Sequence, residues 1–290
     1  MKRKLWNKDT ILMLQGNAVS ALGDILYSVA IGYWVYEKTG SSALMGIMSS
    51  ISMFMTMLVM PFSGSIIDKC SRKLIIVGMD ALRGVIMLAL GVLAFADSLS
   101  VPVVLAAAFL ASACSVFFSP AVSTLMLDII PHDDMVRGQS VFSGVNSFIN
   151  LVGKAISGAL VAFLGVPLIV LLNGVSYLVS AFTELFITVP KTVHQGEKIT
   201  LGGIFSDFRV AVREIFRNRY LKLFIPCALI LNLLSAGSMT LMLPFTLEKG
   251  FTVDMYGYLM SVETAASLLC VCLLLSLIHI SEPTRRRGIS

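Results

Sequence analysis

Long apolar runs alternate with short polar connections along this chain, and the runs predict its main elements. Eight of them occur, at roughly 11–36, 43–67, 74–96, 102–127, 140–163, 167–189, 221–247 and 255–274. A helix needs about 20 apolar residues to cross the hydrocarbon core of a bilayer. Each run therefore predicts one membrane-spanning helix, and we expect an all-α membrane protein whose first partner is the lipid bilayer.

Composition supports this interpretation and excludes other classes of protein. The chain is 57% hydrophobic and 13% charged, whereas a soluble domain carries about 25% charged residues. Its formal net charge is +5, but the cations lie in connections and termini, so we expect no nucleic-acid partner. The five cysteines form no C-x-x-C pair, and we expect no metal site.

The cations are distributed unevenly between the two sides of the predicted bundle. Only Lys38 and Lys249 fall in connections of one side, whereas fifteen cations fall on the other. Positive charge is enriched in cytoplasmic connections, so we expect a multi-pass protein of the bacterial inner membrane with a cytoplasmic N-terminus. The fifteen cations are Lys2, Arg3, Lys4, Lys8, Lys69, Arg72, Lys73, Arg137, Lys191, Lys198, Arg209, Arg213, Arg217, Arg219 and Lys222.

The polar interruptions divide the chain into four predicted parts. Residues 1–189 form a six-helix half, 190–220 a cytoplasmic linker, and 221–274 the first two helices of a second half. Within the linker, Ile204–Phe216 places aromatic residues and arginines on opposite helix faces, which is typical of a helix lying on a membrane surface. The segment LSLIHISEPTR resembles a translated sequencing adapter, so we expect 275–290 to be a non-native tail and the chain to be incomplete.

Polar side chains recur at helical spacing inside three of the runs. A polar group at membrane depth is costly and is read as functional by default, and three polar stripes that face inward would line a shared cavity. That cavity is either a translocation path or a buried packing network. Asp24 either pairs with Lys154 or takes up and releases a proton during transport. The candidate path residues are Asn17, Asp24, Asn150, Lys154, Asn173, Tyr177 and Glu184.

The connection between the second and third runs carries a recognisable pattern, Gly64-x-x-x-Asp68-Lys69-x-x-Arg72-Lys73. It resembles the loop signature of the major facilitator superfamily, with Cys70 and Ser71 where the inner glycine would stand. The resemblance implies a bundle of twelve helices in two halves, of which this chain holds helices one to seven and part of eight. It also implies transport by alternating access with the proton gradient as the energy source and no cofactor.

Two further motifs resemble exporting branches of that superfamily. Asp80 and Arg83 match a D-x-x-R in the third helix, which we interpret as a structural pair. Gly153 and Gly158 match the glycines of an exporter motif in the fifth helix, with Lys154 in place of its proline. The start of the chain is closest to the macrolide-efflux-like branch, which implies proton-coupled export of amphipathic, drug-like molecules by a protein that is monomeric at full length.

Other functions stay open or are disfavoured by the sequence. A siderophore or metabolite transporter of the same superfamily, and a truncated fragment that does not transport, both fit the pattern. An enzyme does not, because no H-E-x-x-H, G-x-S-x-G or phosphate-binding glycine loop occurs.

Overall fold

A computed structural model describes residues 5–131, 134–189, 201–263, 265–266 and 269, and this part of the chain is helical with no strands. The helices are α1 (Lys8–Thr39), α2 (Ser42–Lys69), α3 (Arg72–Phe95), α4 (Val101–Ile129), α5 (Met135–Glu184), α6 (Leu201–Arg217) and α7 (Arg219–Glu248). A further helix, α8, occupies 253–263. The predicted all-α membrane fold is confirmed, and five helices in the described residues are long and apolar enough to cross a membrane. The predicted tail at 275–290 lies outside the described residues.

Local sequence signals set the ends of the first helices. The side chain of Asn7 accepts a hydrogen bond from the Thr10 amide at 2.8 Å and caps the start of α1. Gly40 ends that helix with φ 61°, and its amide donates to the Tyr36 carbonyl at 2.7 Å. Glycine adopts this left-handed conformation without penalty. Ser41 then caps α2, so the connection between α1 and α2 is very short.

Helix α5 contains two predicted spans joined by a sharp break. Gly165 has φ 76° and ψ 159°, a conformation essentially reserved for glycine. The first arm, 135–164, passes α1 beside Leu22 and Ile25 at Gly153, and the second arm, 166–184, returns beside Gly23 at Asn173. The two arms therefore form a tight helical hairpin that packs on α1.

Helices α1, α3, α4 and α5 surround a polar layer held between two apolar clusters. One apolar cluster includes Leu90, Val104 and Ile169, and the other includes Ile76 and Leu125. We call the end where α1 and α3 begin the basic end, because Lys8, Lys69, Arg72 and Lys73 lie there, and the opposite end the far end. The polar layer lies between these ends and holds the candidate site.

Candidate functional site

A cavity of about 350 Å³ lies between α1, α3, α4 and α5. Its residues come from the halves of α1, α4 and α5 that are nearer the basic end. The lining consists of Asn17, Ser20, Ala21, Asp24, Arg83, Ser115, Phe118, Ser119, Val122, Ser123, Met126, Gln139, Phe142, Ser143 and Asn146. Because ten of these fifteen are polar or charged, the cavity can receive a ligand that forms hydrogen bonds.

The carboxylate of Asp24 lies on the cavity wall, and the second arm of α5 contacts it from the side away from the cavity. The hydroxyl of Tyr177, on the second arm, donates a hydrogen bond to Asp24 Oδ1. Gly23 makes this approach possible, since an added Cβ there would lie 2.3 Å from Asn173 Oδ1 and 2.6 Å from Ser176 Oγ. The chain thus brings the polar stripes of the first and sixth predicted spans into direct contact.

Arg83 interacts electrostatically with this carboxylate. Its guanidinium is 4.2 Å from the Phe118 ring centroid and 4.5 Å from that of Tyr177. Nη2 donates to Asp80, and Nη1 is 3.4 Å from Ser115 Oγ. The contact with Asp80 forms the predicted ion pair, and it is buried, since Arg83 and Asp80 are only 4% and 0% exposed. Arg83 also borders the cavity, which the sequence did not indicate.

A third carboxylate, Glu184, lies behind the cavity on the second arm of α5. It is 1% exposed, and its Oε1 accepts a hydrogen bond from Ser180 at 3.2 Å. Gly16 of α1 covers it, because an added Cβ there would be 3.0 Å from that oxygen. Glu184 Oε2 and Asp80 Oδ2 are buried without a hydrogen-bond partner. Glu184 also interacts electrostatically with Asp80 and Arg83.

Asp24, Asp80 and Glu184 therefore share a single described cation, Arg83. Burying an unpaired charge at membrane depth costs several kcal/mol. A proton is the smallest species that could neutralise a surplus carboxylate here. No group of acidic, histidine or cysteine side chains in the described residues could hold a metal ion. A proton held by one of the three carboxylates would lower the cost of burying them together.

The predicted shared cavity needs one correction. Asn17 and Asp24 of α1 line it as expected, whereas the stripe Asn173, Tyr177 and Glu184 packs behind α1 instead. On α5 the wall is formed by Gln139, Phe142, Ser143 and Asn146. Asn150 and Lys154 are not on it. The first arm presents a different face because it packs closely on α1 and on α8.

The described part of the structure does not contain the Asp24–Lys154 ion pair that the sequence left as one alternative. Asp24 receives the hydroxyl of Tyr177, and no ion pair within the described ranges joins it to Lys154. Asn150 donates to the Asn146 carbonyl of its own helix at 2.9 Å. Asn17 instead reaches α5 through a 3.1 Å hydrogen bond to Asn146 Oδ1.

The predicted glycines of the fifth span are packing positions. Gly153 faces α1, where an added Cβ would be 3.1 Å from Ile25 Cδ1. Gly158 faces the start of α8, where it would be 2.3 Å from the Val253 carbonyl oxygen and 2.5 Å from Asp254 Cα. Gly257 of α8 makes the same kind of close approach from the other side, because an added Cβ there would be 2.8 Å from the Lys154 carbonyl oxygen. The two predicted halves thus meet backbone to backbone near the far end.

The loop signature lies at the basic end and ties two helices together. Arg72 Nη1 donates to Asp128 Oδ2 at 2.6 Å, joining the start of α3 to the end of α4. Lys69 and Lys73 are half-buried. Gly64 is exposed, with nothing within 4 Å of an added Cβ. The side chain of Asp68 lies outside the described part of the structure.

Several cavity residues escaped the sequence analysis. Ser115, Ser119 and Ser123 recur every four residues along α4, so they share one helix face. That stripe was a usable signal, but the fourth run carries no ionisable group near them. Gln139, Ser143 and Asn146 recur at four- and three-residue spacing and also share a face, but the stripe that ends at Lys154 lies on the same arm, and the rotation of the arm decides which face lines the cavity.

Comparison with known proteins adds a family and several relatives. Residues 13–288 match the model of the Major Facilitator Superfamily. A Bacillus subtilis protein that carries the name bacilysin exporter BacE is 30% identical over 217 residues, which are 72% of this chain and 51% of that protein. Macrolide efflux protein A of Streptococcus pyogenes is 22% identical over 186 residues, or 64% and 46% of the two chains. This chain spans about half the length of the curated relatives it matches.

A solved structure shows the same architecture. It is the crystal structure of a bacterial homolog to the human lysosomal transporter Spinster, described as inward-facing and unoccupied. The TM-score is 0.66 at 14% sequence identity, and the match covers 89% of this chain and 60% of the other. At that identity the likeness concerns the fold.

Proposed function

This chain belongs to the major facilitator superfamily, and from that membership we propose that it acts in proton-coupled export of small molecules. Export is the activity named for its relatives of Bacillus subtilis and Streptococcus pyogenes. Macrolide-type compounds are therefore the first substrates to test. Members of this superfamily are in general transporters and not enzymes, which accords with the lack of catalytic motifs in the sequence.

The observation that carries this proposal is a ligand-sized cavity with a carboxylate on its wall. Asp24 connects the cavity to the buried network through Tyr177, which in turn lies against Arg83. Three carboxylates and one guanidinium share that network, so a proton on one carboxylate lowers the cost of burial. Asp24 is the carboxylate that a substrate and a proton can both reach. We assign it the exchange between the two.

The side of the membrane to which the cavity opens is inferred from the position of the cavity and from the contact between α5 and α8. The cavity residues lie in the half of the bundle nearer the basic end, while Gly158 packs against Val253 near the far end. Cations favour the cytoplasmic side of a plasma membrane. The proposed state is therefore closed toward the outside and accessible from the cytoplasm, as a transporter must be before it loads a substrate for export.

The test compares Asp24→Asn with Asp97→Asn in a host that lacks its own drug pumps. Both substitutions remove one carboxylate, but Asp97 is exposed in the connection after α3, with φ 49°. Asparagine tolerates that backbone conformation. The readout is accumulation of a labelled macrolide with the proton gradient intact and with the gradient collapsed by a protonophore.

We expect Asp97→Asn to export like the unmodified protein and Asp24→Asn to lose gradient-dependent export while still reaching the membrane. The 290-residue chain and the longest reading frame of its gene are assayed side by side. Gradient-dependent export that persists in Asp24→Asn would show that this carboxylate does not exchange the proton.

A further inference from the structure

The cavity wall differs from that of a usual drug site in its polarity. Small-molecule pockets are generally lined by apolar and aromatic side chains with a few polar groups. Here only five of the fifteen lining residues are apolar, and eight are uncharged polar side chains. The uncharged polar residues are Asn17, Ser20, Ser115, Ser119, Ser123, Gln139, Ser143 and Asn146. A ligand that fits this wall must replace many hydrogen bonds to water.

Three of the five serine hydroxyls on the wall, those of Ser20, Ser115 and Ser123, already donate to their own helix. Ser20 donates its proton to the Gly16 carbonyl at 2.8 Å, and Ser123 donates to the Ser119 carbonyl at 3.1 Å. A serine hydroxyl has one proton and two lone pairs. Once the proton is given to the helix backbone, the oxygen can only accept from a ligand. The matching ligand is therefore rich in N–H or O–H donors.

The two charged groups on the wall, Arg83 and Asp24, differ in how many partners they already have within the protein. Arg83 is bonded to Asp80 and covered by the rings of Phe118 and Tyr177. Asp24 is an acceptor with one described hydrogen bond, from Tyr177, and it borders the open space. Negative charge is thus the sign available to a ligand. A protonated amine satisfies both this charge and the serine oxygens that can only accept.

We propose that the substrate is a small hydrophilic amine, with its ammonium group against Asp24 and further donors against Ser20 and Ser123. This rests on the proposed transport function and narrows it, because it disfavours large amphipathic compounds. The volume of about 350 Å³ is at the lower end of the 300–1,000 Å³ that is typical of ligand pockets. Amino sugars and short basic peptides both carry this chemistry.

The experiment measures equilibrium binding of four labelled probes to the purified 290-residue chain in detergent. Glucosamine represents amino sugars and lysyl-alanine represents basic dipeptides. Tetraphenylphosphonium is a cation without donors, and erythromycin is a large amphipathic amine. We expect one or both hydrophilic amines to bind, and neither of the other two to bind as tightly.

Variants locate the bound amine. Losing a hydrogen bond to a charged partner costs about 1.5–3 kcal/mol, so Asp24→Asn should weaken binding by about tenfold or more. Ser20→Ala should weaken it by a smaller factor. Ser28→Ala is the matched control, because Ser28 also donates to its own helix, at the Ile25 carbonyl, but is exposed and does not line the cavity.

Each outcome decides the proposal. Tighter binding of tetraphenylphosphonium or erythromycin, or hydrophilic-amine binding that all variants retain, overturns the substrate class while leaving export intact. Binding of none of the four probes also overturns it. Export itself is judged separately by gradient-dependent accumulation of the hydrophilic amines and of the macrolide, so failure of the substrate class and failure of the transport function are distinguishable.

Discussion

The contact between Gly158 and the start of α8 permits a quantitative prediction. An alanine Cβ at this position would lie 2.3 Å from the Val253 carbonyl oxygen, whereas ordinary contacts begin at 3.4 Å. The two segments must therefore separate by about 1 Å, from the difference of these distances. The obstructing atoms belong to backbone, so no side chain can turn away. Overpacking of this kind costs about 1–3 kcal/mol.

The assay compares Gly158→Ala with Gly144→Ala in the purified chain. Gly144 lies on the same arm with nothing within 4 Å of an added Cβ, so its substitution should only improve helix propensity, by up to about 1 kcal/mol. Thermal unfolding is followed by the helical circular dichroism signal. The midpoint temperature should fall for Gly158→Ala by about 2–4 °C per kcal/mol. The midpoint temperature should stay the same or rise for Gly144→Ala.

A second readout tests the position of the strain. Val253→Cys, added to both backgrounds, should react faster with a maleimide in Gly158→Ala, because separation of α5 and α8 exposes it. If both glycine variants unfold at the same temperature and label at the same rate, the helices do not meet at Gly158 and the reasoning fails.

Two further predictions concern ion pairs. Asp128→Ala should destabilise the basic end by about 1 kcal/mol, the upper range for a partly exposed pair. An Arg72→Asp/Asp128→Arg exchange should recover part of the lost stability. Unfolding midpoints that do not differ among these proteins would contradict the pair. Arg83→Leu should destabilise the fold by about 3–5 kcal/mol because it leaves Asp80 buried alone. Asp80→Leu/Arg83→Leu should be markedly more stable than Arg83→Leu, and a double variant no better than the single one would refute the argument.

The sequence predicted the helices well because membrane insertion imposes a simple rule on composition. Every predicted span up to 247 has a helix in the structure, and even the fifth and sixth spans are separated at Gly165 as expected. Of the polar stripe on α1, Asn17, Ser20 and Asp24 line the cavity, whereas Ser28 is exposed outside it. Asp24 is the single ionisable member of that stripe, and a buried charge leaves few alternatives to an inward direction.

The remaining errors arise from helix rotation, which the sequence does not encode locally. Lys154 and Asn150 share a polar stripe, yet Gln139 and Asn146 form the wall. The rotation of that arm is set by Gly153 against α1 and Gly158 against α8. Those contacts join residues more than 90 positions apart in the case of α8. Glu184 likewise faces inward as predicted, but toward Gly16 instead of the cavity.

The break at Gly165 has a consequence for how this protein is made. No polar residue lies between Val161 and Leu172, so the turn between the two arms exposes no hydrophilic loop that must be translocated. The arms can enter the bilayer during synthesis as a preformed helical hairpin. A charged residue inserted beside Gly165 would have to cross the bilayer with that turn, so reporter tags are better placed in the exposed turn at Asp97.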